Sequence, residues 1–295
     1  MEEFLATLVR GLGFGSLYAM LAVSFVIIYK SSRVISFAQP ALMLAGATLV
    51  SYLAGPVGFY LAVPLAALAM AGVGLGVERL AIRPMIGRPV FVIAIITLGL
   101  DIAIRVVVNV AIGRDVRQVG DPWGLSTVDV LGITVQQRYI AMIVVLVVVV
   151  AALFAFFRYS RWGLAMRAAS LDQETAMVQG VSVGSMMALS WAIAGGLAAV
   201  AGAFVGAGGG IEQNTWVIAL KALPAIIIGG LDSVGGAVIG GLLVGLVESF
   251  FATYQGEYLP WLGQNFSLVS PYVLLLVVLL VRPYGIFGTR EVERV

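Results

Sequence analysis

The sequence predicts an all-α, polytopic integral membrane protein: a helical bundle of eight to nine transmembrane segments, one of them broken or re-entrant. Two observations carry this. Of 295 residues, 61% are hydrophobic and 11% are charged, and the mean hydropathy is +1.06. A soluble domain carries about 25% charged residues, so most of this chain must face lipid or buried helices. The apolar residues also gather into runs near the roughly 20 residues that cross a bilayer core. No polar run is long enough to bury a core of its own, so residues 1–295 read as one transmembrane domain.

The spans follow in order. Gly11 to Tyr29 is 19 uncharged residues between Arg10 and Lys30. Val34 to Val77 is 44 uncharged residues, enough for two spans, with a break at Gly55-Pro56-Val57-Gly58. Val90 to Gly113 is a span that contains charges. Tyr139 to Phe157 is uncharged between Arg138 and Arg158, and Gly184 to Gly206 is another span. Trp216 to Gly230 is short and carries Pro224, which marks it as the broken or re-entrant segment. Ser233 to Phe251 and Leu268 to Val281 complete the set. The start, with Glu2 and Glu3 where a secretory leader would be basic, predicts a retained first span.

Basic residues set the expected orientation. With the Arg158–Val183 loop in the cytoplasm, the inner segments hold Lys30, Arg33, Arg79, Arg83, Arg88, Arg158, Arg161, Arg167, Arg282, Arg290 and Arg294, eleven in all. The outer segments hold only Arg10, Arg114, Arg117 and Arg138, against seven acids. Nine crossings then put the N-terminus outside and the C-terminus inside.

The loop from Arg158 to Val183 is the most structured polar interruption. Ser170 to Gln173 has the S-x-x-Q form of a capping box. Asp172 and Glu174 fall in the first turn, where a helix dipole favours acids, and Gly180 stands where a helix stops. The pattern predicts a helix over Leu171–Gln179, about 14 Å long. Two spans need no such helix to join them. It is either a linker on the membrane surface or a docking element for a soluble partner.

Polar residues inside apolar runs are the other candidates. Asp101 and Arg105 lie four apart in mid-span and share a helix face. They read as a pathway pair or as a self-satisfied structural pair, since an unpaired charge there costs at least ~2.5–3.5 kcal/mol. Ser36, Gln39 and Pro40 open an apolar run. They read as a broken helix lining a cavity, or as a first-turn proline behind a cap. Lys221 and Glu248 lie near the ends of neighbouring spans, where snorkelling is the safer expectation.

Other chemistry is excluded or disfavoured. Without cysteine or histidine there is no disulfide, thiol nucleophile, His relay or common zinc site, and no metal or cofactor is expected. No G-x-x-x-x-G-K-[ST] loop exists, so the chain does not bind ATP in the P-loop manner. An intramembrane enzyme would need a paired-carboxylate or Ser–Lys motif on a span, and none is recognisable. Nothing points to nucleic acid. Gly236/Gly240, Gly241/Gly245 and Gly11/Gly15 form small-xxx-small pairs that let helices approach closely. They read as packing within the bundle rather than as a dimer face.

Read in order, five motifs resemble one family. Gly15-Ser16-Leu17-Tyr18-Ala19 followed by Val34 to Gln39 is similar to a "GSLYAL … VINFAHGE" block. Gly163 to Ala168 with Asp172, Glu174 and Gly180 resembles a "G-x-x-x-R-A … D-x-E-A-A-x-x-x-G" loop. Within it, Glu174-Thr175-Ala176 and Gly180 fit the "EAA-x-x-x-G" pattern that ABC-importer permeases present to their ATPases. Leu220-Lys221-Ala222 with Gly229 to Ala237 resembles "LKAF … GGLGSIPGA". Arg282 to Gly288 resembles "RPQGLFG". The chain is thus identified as similar to permease subunits of branched-chain amino-acid ABC importers, the H-type subunit of the Liv system. The resemblance runs almost end to end.

It implies a multi-pass protein of a prokaryotic inner membrane that is not itself an enzyme. It implies a second permease subunit, two cytoplasmic ATPase subunits and an extracytoplasmic solute-binding protein as partners. Arg167, Asp172, Glu174, Thr175, Ala176 and Gly180 would form the ATPase-coupling loop. Ser36, Gln39, Pro40, Asp101 and Arg105 would be candidate pathway residues for branched-chain amino acids or a related small polar solute. The family's "NFAHGE" is Ser36-Phe37-Ala38-Gln39-Pro40-Ala41 here, without its His and Glu, and relatives also serve urea, short amides and aromatic acids. The rival expectation is an autonomous secondary transporter or channel with an ion-coupling carboxylate at Asp101 or Glu248.

Overall fold

A computed structural model describes residues 2–288 apart from Leu131 and Gln264; Arg290 and Arg294, counted among the inner cations, lie outside the described residues. The elements are α1 Glu2–Ser32, α2 Gln39–Val57, α3 Phe59–Val77, α4 Val90–Ile112, a hairpin of β1 Thr127–Val130 and β2 Ile133–Gln136, α5 Gln137–Tyr159, α6 Arg161–Leu171, α7 Gln173–Val178, α8 Val183–Ala207, α9 Ala222–Gly229, α10 Val234–Tyr258 and α11 Ser270–Val281. Seven of the described helices are long and apolar enough to cross a membrane: α1, α2, the run Phe59–Met85 that contains α3, α4, α5, α8 and α10. Two shorter apolar segments, Thr215–Gly229 and Ser270–Val281, accompany them.

Most boundaries fall where the sequence places them. Gly58, at φ 77°, separates α2 from α3, a backbone conformation that glycine adopts without strain. The Thr215–Gly229 segment is broken as expected. It begins as a 3₁₀ turn over Thr215–Lys221 and becomes α9 two residues before Pro224. Pro224 therefore lies in the first turn of α9, where its missing N–H removes no helical bond. The expected Leu268–Val281 crossing is shorter in the structure. α11 has 12 residues, about 18 Å, bounded by Pro271 in its first turn and by Arg282-Pro283 after its end. The hairpin has no counterpart among the expected elements; Thr127 stands opposite Gln136 and Val130 opposite Ile133.

Contacts divide the chain into two compact units. One holds residues 1–26, 123–146 and 219–295; the other holds 27–122 and 147–218. In the first, α10 presents glycine on two faces. Gly241 and Gly245 meet the α1 backbone at Ala19, Gly15 and Gly11, and Gly236 and Gly240 meet the α9 backbone at Gly229 and Ala225. A methyl group at any of these four positions would run into main chain. The small-xxx-small pairs are thus spent on packing within the bundle.

In the second unit α8 lies against α2 and α3. Gly46 meets Ala199 and Gly202 meets Met43 between α2 and α8, while Gly74 meets Trp191 and Gly195 meets Met70 between α3 and α8. At one end, Arg117 and Ile211 exchange two backbone bonds of 2.8 Å, and Gln213 Nε2 donates to Gly113 O at 2.8 Å. At the other, Arg33 Nη2 donates to Ser170 O at 3.1 Å and Arg83 Nη2 donates to Gly184 O at 3.2 Å. The segments expected on one side of the membrane therefore cluster at one end of this unit.

Candidate functional site

The Arg158–Val183 loop is built as two helices, α6 and α7, rather than one. Ser160 opens α6, its Oγ accepting from the Gly163 N–H at 2.8 Å. Gly163 sits so close to the Phe156 carbonyl and Phe157 Cα that a side chain would collide with backbone, which lets α6 turn sharply off α5. The expected helix over Leu171–Gln179 is divided at Asp172, whose backbone is extended at φ −151°, ψ 111°. Asp172, not Ser170, is the cap. Its Oδ1 accepts from the Thr175 N–H at 3.1 Å and its Oδ2 from Thr175 Oγ1 at 2.6 Å. Ser170 still belongs to α6 and donates to Arg167 O at 2.8 Å. The capping-box reading failed because two residues separated by only one in the chain, Ser170 and Asp172, can both cap, and a carboxylate accepts more strongly than a hydroxyl.

Gly180 ends α7 as expected. With φ 84°, it donates to Met177 O at 2.9 Å while Val181 donates to Ala176 O at 3.0 Å, the paired bonds of a Schellman stop. Ala176 is 4% exposed, whereas Met177 and Val178 are 54% and 89% exposed. α7 therefore presents an apolar tip to whatever lies beyond it. Arg167 is exposed on α6. Glu174 lies within α7, but its side chain is outside the described residues.

The structure joins this loop to the second candidate region. Gln173 Nε2 donates to Ser31 O at 3.0 Å and Arg33 donates to Ser170 O. Both bonds hold the turn between α1 and α2. Arg33 is one of two non-glycine residues with positive φ among those described, at 56°. Three residues further on, Ser36 is 1% exposed and Gln39 is 0% exposed. Pro40 lies in the first turn of α2, so the first-turn alternative holds and the proline does not break a helix. The chain leaves helical geometry before it, between Ser32 and Gln39. There the Phe37 N–H donates to Thr97 Oγ1 of α4 at 3.1 Å.

Thr97 starts a polar line along α4. Thr97, Asp101, Arg105 and Asn109 recur every four residues and so share one face. Asp101 is 6% exposed, and Arg105 Nη2 lies 2.6 Å from its Oδ2. The Arg105 guanidinium also stacks 4.0 Å above the Trp216 ring. The pair is self-satisfied on one edge only. Asp101 Oδ1, Arg105 Nε and Asn109 Oδ1 are buried with no hydrogen bond among the described residues.

Lys221 and Glu248 do not snorkel. Lys221 Nζ lies 2.5 Å from Glu248 Oε1, and the Tyr18 hydroxyl donates to Oε2 at 2.7 Å. The side chains are 13% and 15% exposed. Mutual neutralisation outweighed reach to the interface, because each charge supplies what the other needs at that depth. Tyr18 was within a motif but gave no hint of this role; two isolated opposite charges in neighbouring apolar runs were the available signal. Glu248 is thus bonded twice and Asp101 is paired with Arg105. Among the described residues no group of three His, Cys, Asp or Glu could hold a metal.

Residues 7–279 match the family model described as "Branched-chain amino acid transport system / permease component". The high-affinity branched-chain amino acid transport system permease protein LivH of Salmonella typhimurium is 30% identical, over 99% of this chain and 98% of that one. The corresponding permease protein BraD of Pseudomonas aeruginosa is 29% identical over the same shares. The solved structure of PsaBC from Streptococcus pneumoniae in complex with Fab aligns over 97% of each chain with a TM-score of 0.49 and 14% identity.

Proposed function

The chain belongs to the permease-component family of branched-chain amino-acid ABC transport systems, and from that premise we propose how its parts divide the work. It is a multi-pass membrane subunit that carries no ATPase of its own. It pairs with a second permease subunit, two cytoplasmic ATPase subunits and an extracytoplasmic solute-binding protein. The N-terminus lies outside and the loop 158–183 lies in the cytoplasm, as the distribution of arginine and lysine favours. The solute is a branched-chain amino acid or a related small polar molecule. The missing His and Glu of the Ser36–Ala41 block leave room for a different member of that class.

In this reading α7 docks its exposed Met177–Val178 tip into an ATPase groove. Closure of the ATPase pair moves α7, and the bonds from Gln173 and Arg33 carry that movement to the Ser31–Gln39 turn. Phe37 passes it to Thr97 and the α4 polar line, where buried, unbonded polar atoms at Asp101, Arg105 and Asn109 offer partners to a polar solute. Coupling is then a biased choice between two arrangements of packed helices. The observation that carries this is the double hydrogen bond between the loop 170–173 and the turn 31–33.

The test is co-purification from native membranes in mild detergent. Two ATPase chains and a second permease are expected in the eluate, and Glu174→Lys is expected to release the ATPases while the chain still inserts. Gly180→Pro, which denies Gly180 its left-handed backbone, is expected to abolish uptake without loss of insertion. Elution of the chain alone, with solute still moving in liposomes, would overturn the proposal.

A further inference from the structure

We propose that a recess at the basic end of α3 is a binding site for an anionic phospholipid. The cavity is about 370 Å³ and is lined by Leu75, Arg79, Arg83, Phe156, Trp162 and Leu189, among others. Sites for small molecules run from about 300 to 1,000 Å³. Every wall comes from a helix end. Leu75 is in the last turn of α3, Phe156 in the last turn of α5, Trp162 in the first turn of α6, and Leu189 near the start of α8. The recess therefore sits where spans meet the headgroup layer, the depth at which Trp and Arg are favoured.

Its charge is settled by a widened helical turn. Residues Glu78–Ile82 form a π turn, with the Arg83 N–H donating to Glu78 O five residues back. That extra residue brings Arg83 over Glu78: Nε lies 3.1 Å from Oε1 and Nη2 lies 3.1 Å from Oε2. Glu78 is fully buried and neutralises Arg83, which is also tied to Gly184 O. Arg79 is left exposed, with no ion pair or hydrogen bond among the described residues. The recess thus offers one uncompensated cation beside an apolar wall and an indole.

The apolar wall points to a lipid rather than to a soluble anion. It continues along α3, where Leu68, two turns before Leu75 and on the same face, is 71% exposed. An acyl chain can lie along that face while a phosphate meets Arg79. Basic pockets between spans at the headgroup level bind anionic lipids in this way, at about 1 kcal/mol per basic residue.

The experiment uses the full chain in nanodiscs of phosphatidylcholine with brominated phosphatidylglycerol or brominated phosphatidylcholine. Bromine quenches a nearby indole, and the Trp162 signal is the part lost in Trp162→Phe. Phosphatidylglycerol is expected to quench it at about fivefold lower mole fraction than phosphatidylcholine. Arg79→Gln is expected to remove that preference, and Arg88→Gln, outside the recess, to leave it. The preference is expected to survive excess inorganic phosphate at matched ionic strength. Equal quenching by the two lipids, a preference untouched by Arg79→Gln, or its loss to inorganic phosphate alone would each overturn the proposal.

Discussion

Glu248 accepts from both Lys221 and Tyr18, and this trio joins α1, the start of α9 and α10 within one unit. Breaking such a pair from one side leaves a buried charge and costs about 3–5 kcal/mol. Lys221→Met should therefore lower the melting temperature sharply in detergent, while the double change Lys221→Met with Glu248→Met should recover most of the loss. Equal damage from the single and double variants would mean that the pair is not what holds these helices. Single residues were the least legible scale in the sequence. Asp101 and Arg105 could be paired on paper because they are neighbours on one helix. Lys221 and Glu248 carried only the weaker signal of opposite charges in neighbouring apolar runs, because 27 residues separate them and the fold brings them together.

Elements were more legible, because their signals are local. Gly58 and Gly180 each stand at a positive φ, and each was readable from residue type. What the sequence hid was competition between adjacent signals. Ser170 and Asp172 both suit a cap, and the structure uses the carboxylate, so α7 is six residues rather than nine or so. Asp172→Ala should destabilise α7 by about 1 kcal/mol, seen as faster amide exchange at Ala176 and Gly180 with α8 unaffected. Packing helices follow the same logic. Gly245 meets the α1 backbone, whereas nothing lies near the Cβ position of Gly235. Gly245→Leu should abolish a monodisperse peak in mild detergent and Gly235→Leu should not; the same behaviour from both would discount close helix approach as the role of these glycines.

At the scale of the whole molecule, composition alone announced a membrane bundle, and the ordered motifs announced the family to which the chain belongs. The hairpin between α4 and α5 was not legible, since strands of four residues have no signal above their surroundings, whereas α11 lies within the expected Leu268–Val281 run and starts two residues later. The link between the two candidate regions was also hidden, because backbone carbonyls accept both of its bonds and no side-chain pattern announces a carbonyl. Sidedness can be tested directly in a chain without cysteine. Leu171→Cys should react with an impermeant thiol reagent only from the cytoplasmic side, and Leu125→Cys only from outside; both side chains are more than 80% exposed. Reversed labelling would invert the proposed topology.

In the proposed mechanism, movement of α7 reaches the pathway through Gln173 and Arg33. The direct measurement is solute moved per ATP hydrolysed by the whole transporter in proteoliposomes, with Gln173→Ala and Arg33→Asn in this chain. Asparagine tolerates the left-handed backbone at that position, so only the guanidinium is lost. Both variants should keep their ATPase subunits and go on hydrolysing ATP, while solute moved per ATP falls about tenfold, within the usual range for coupling between sites. An unchanged ratio in both would mean that these two bonds do not carry the coupling.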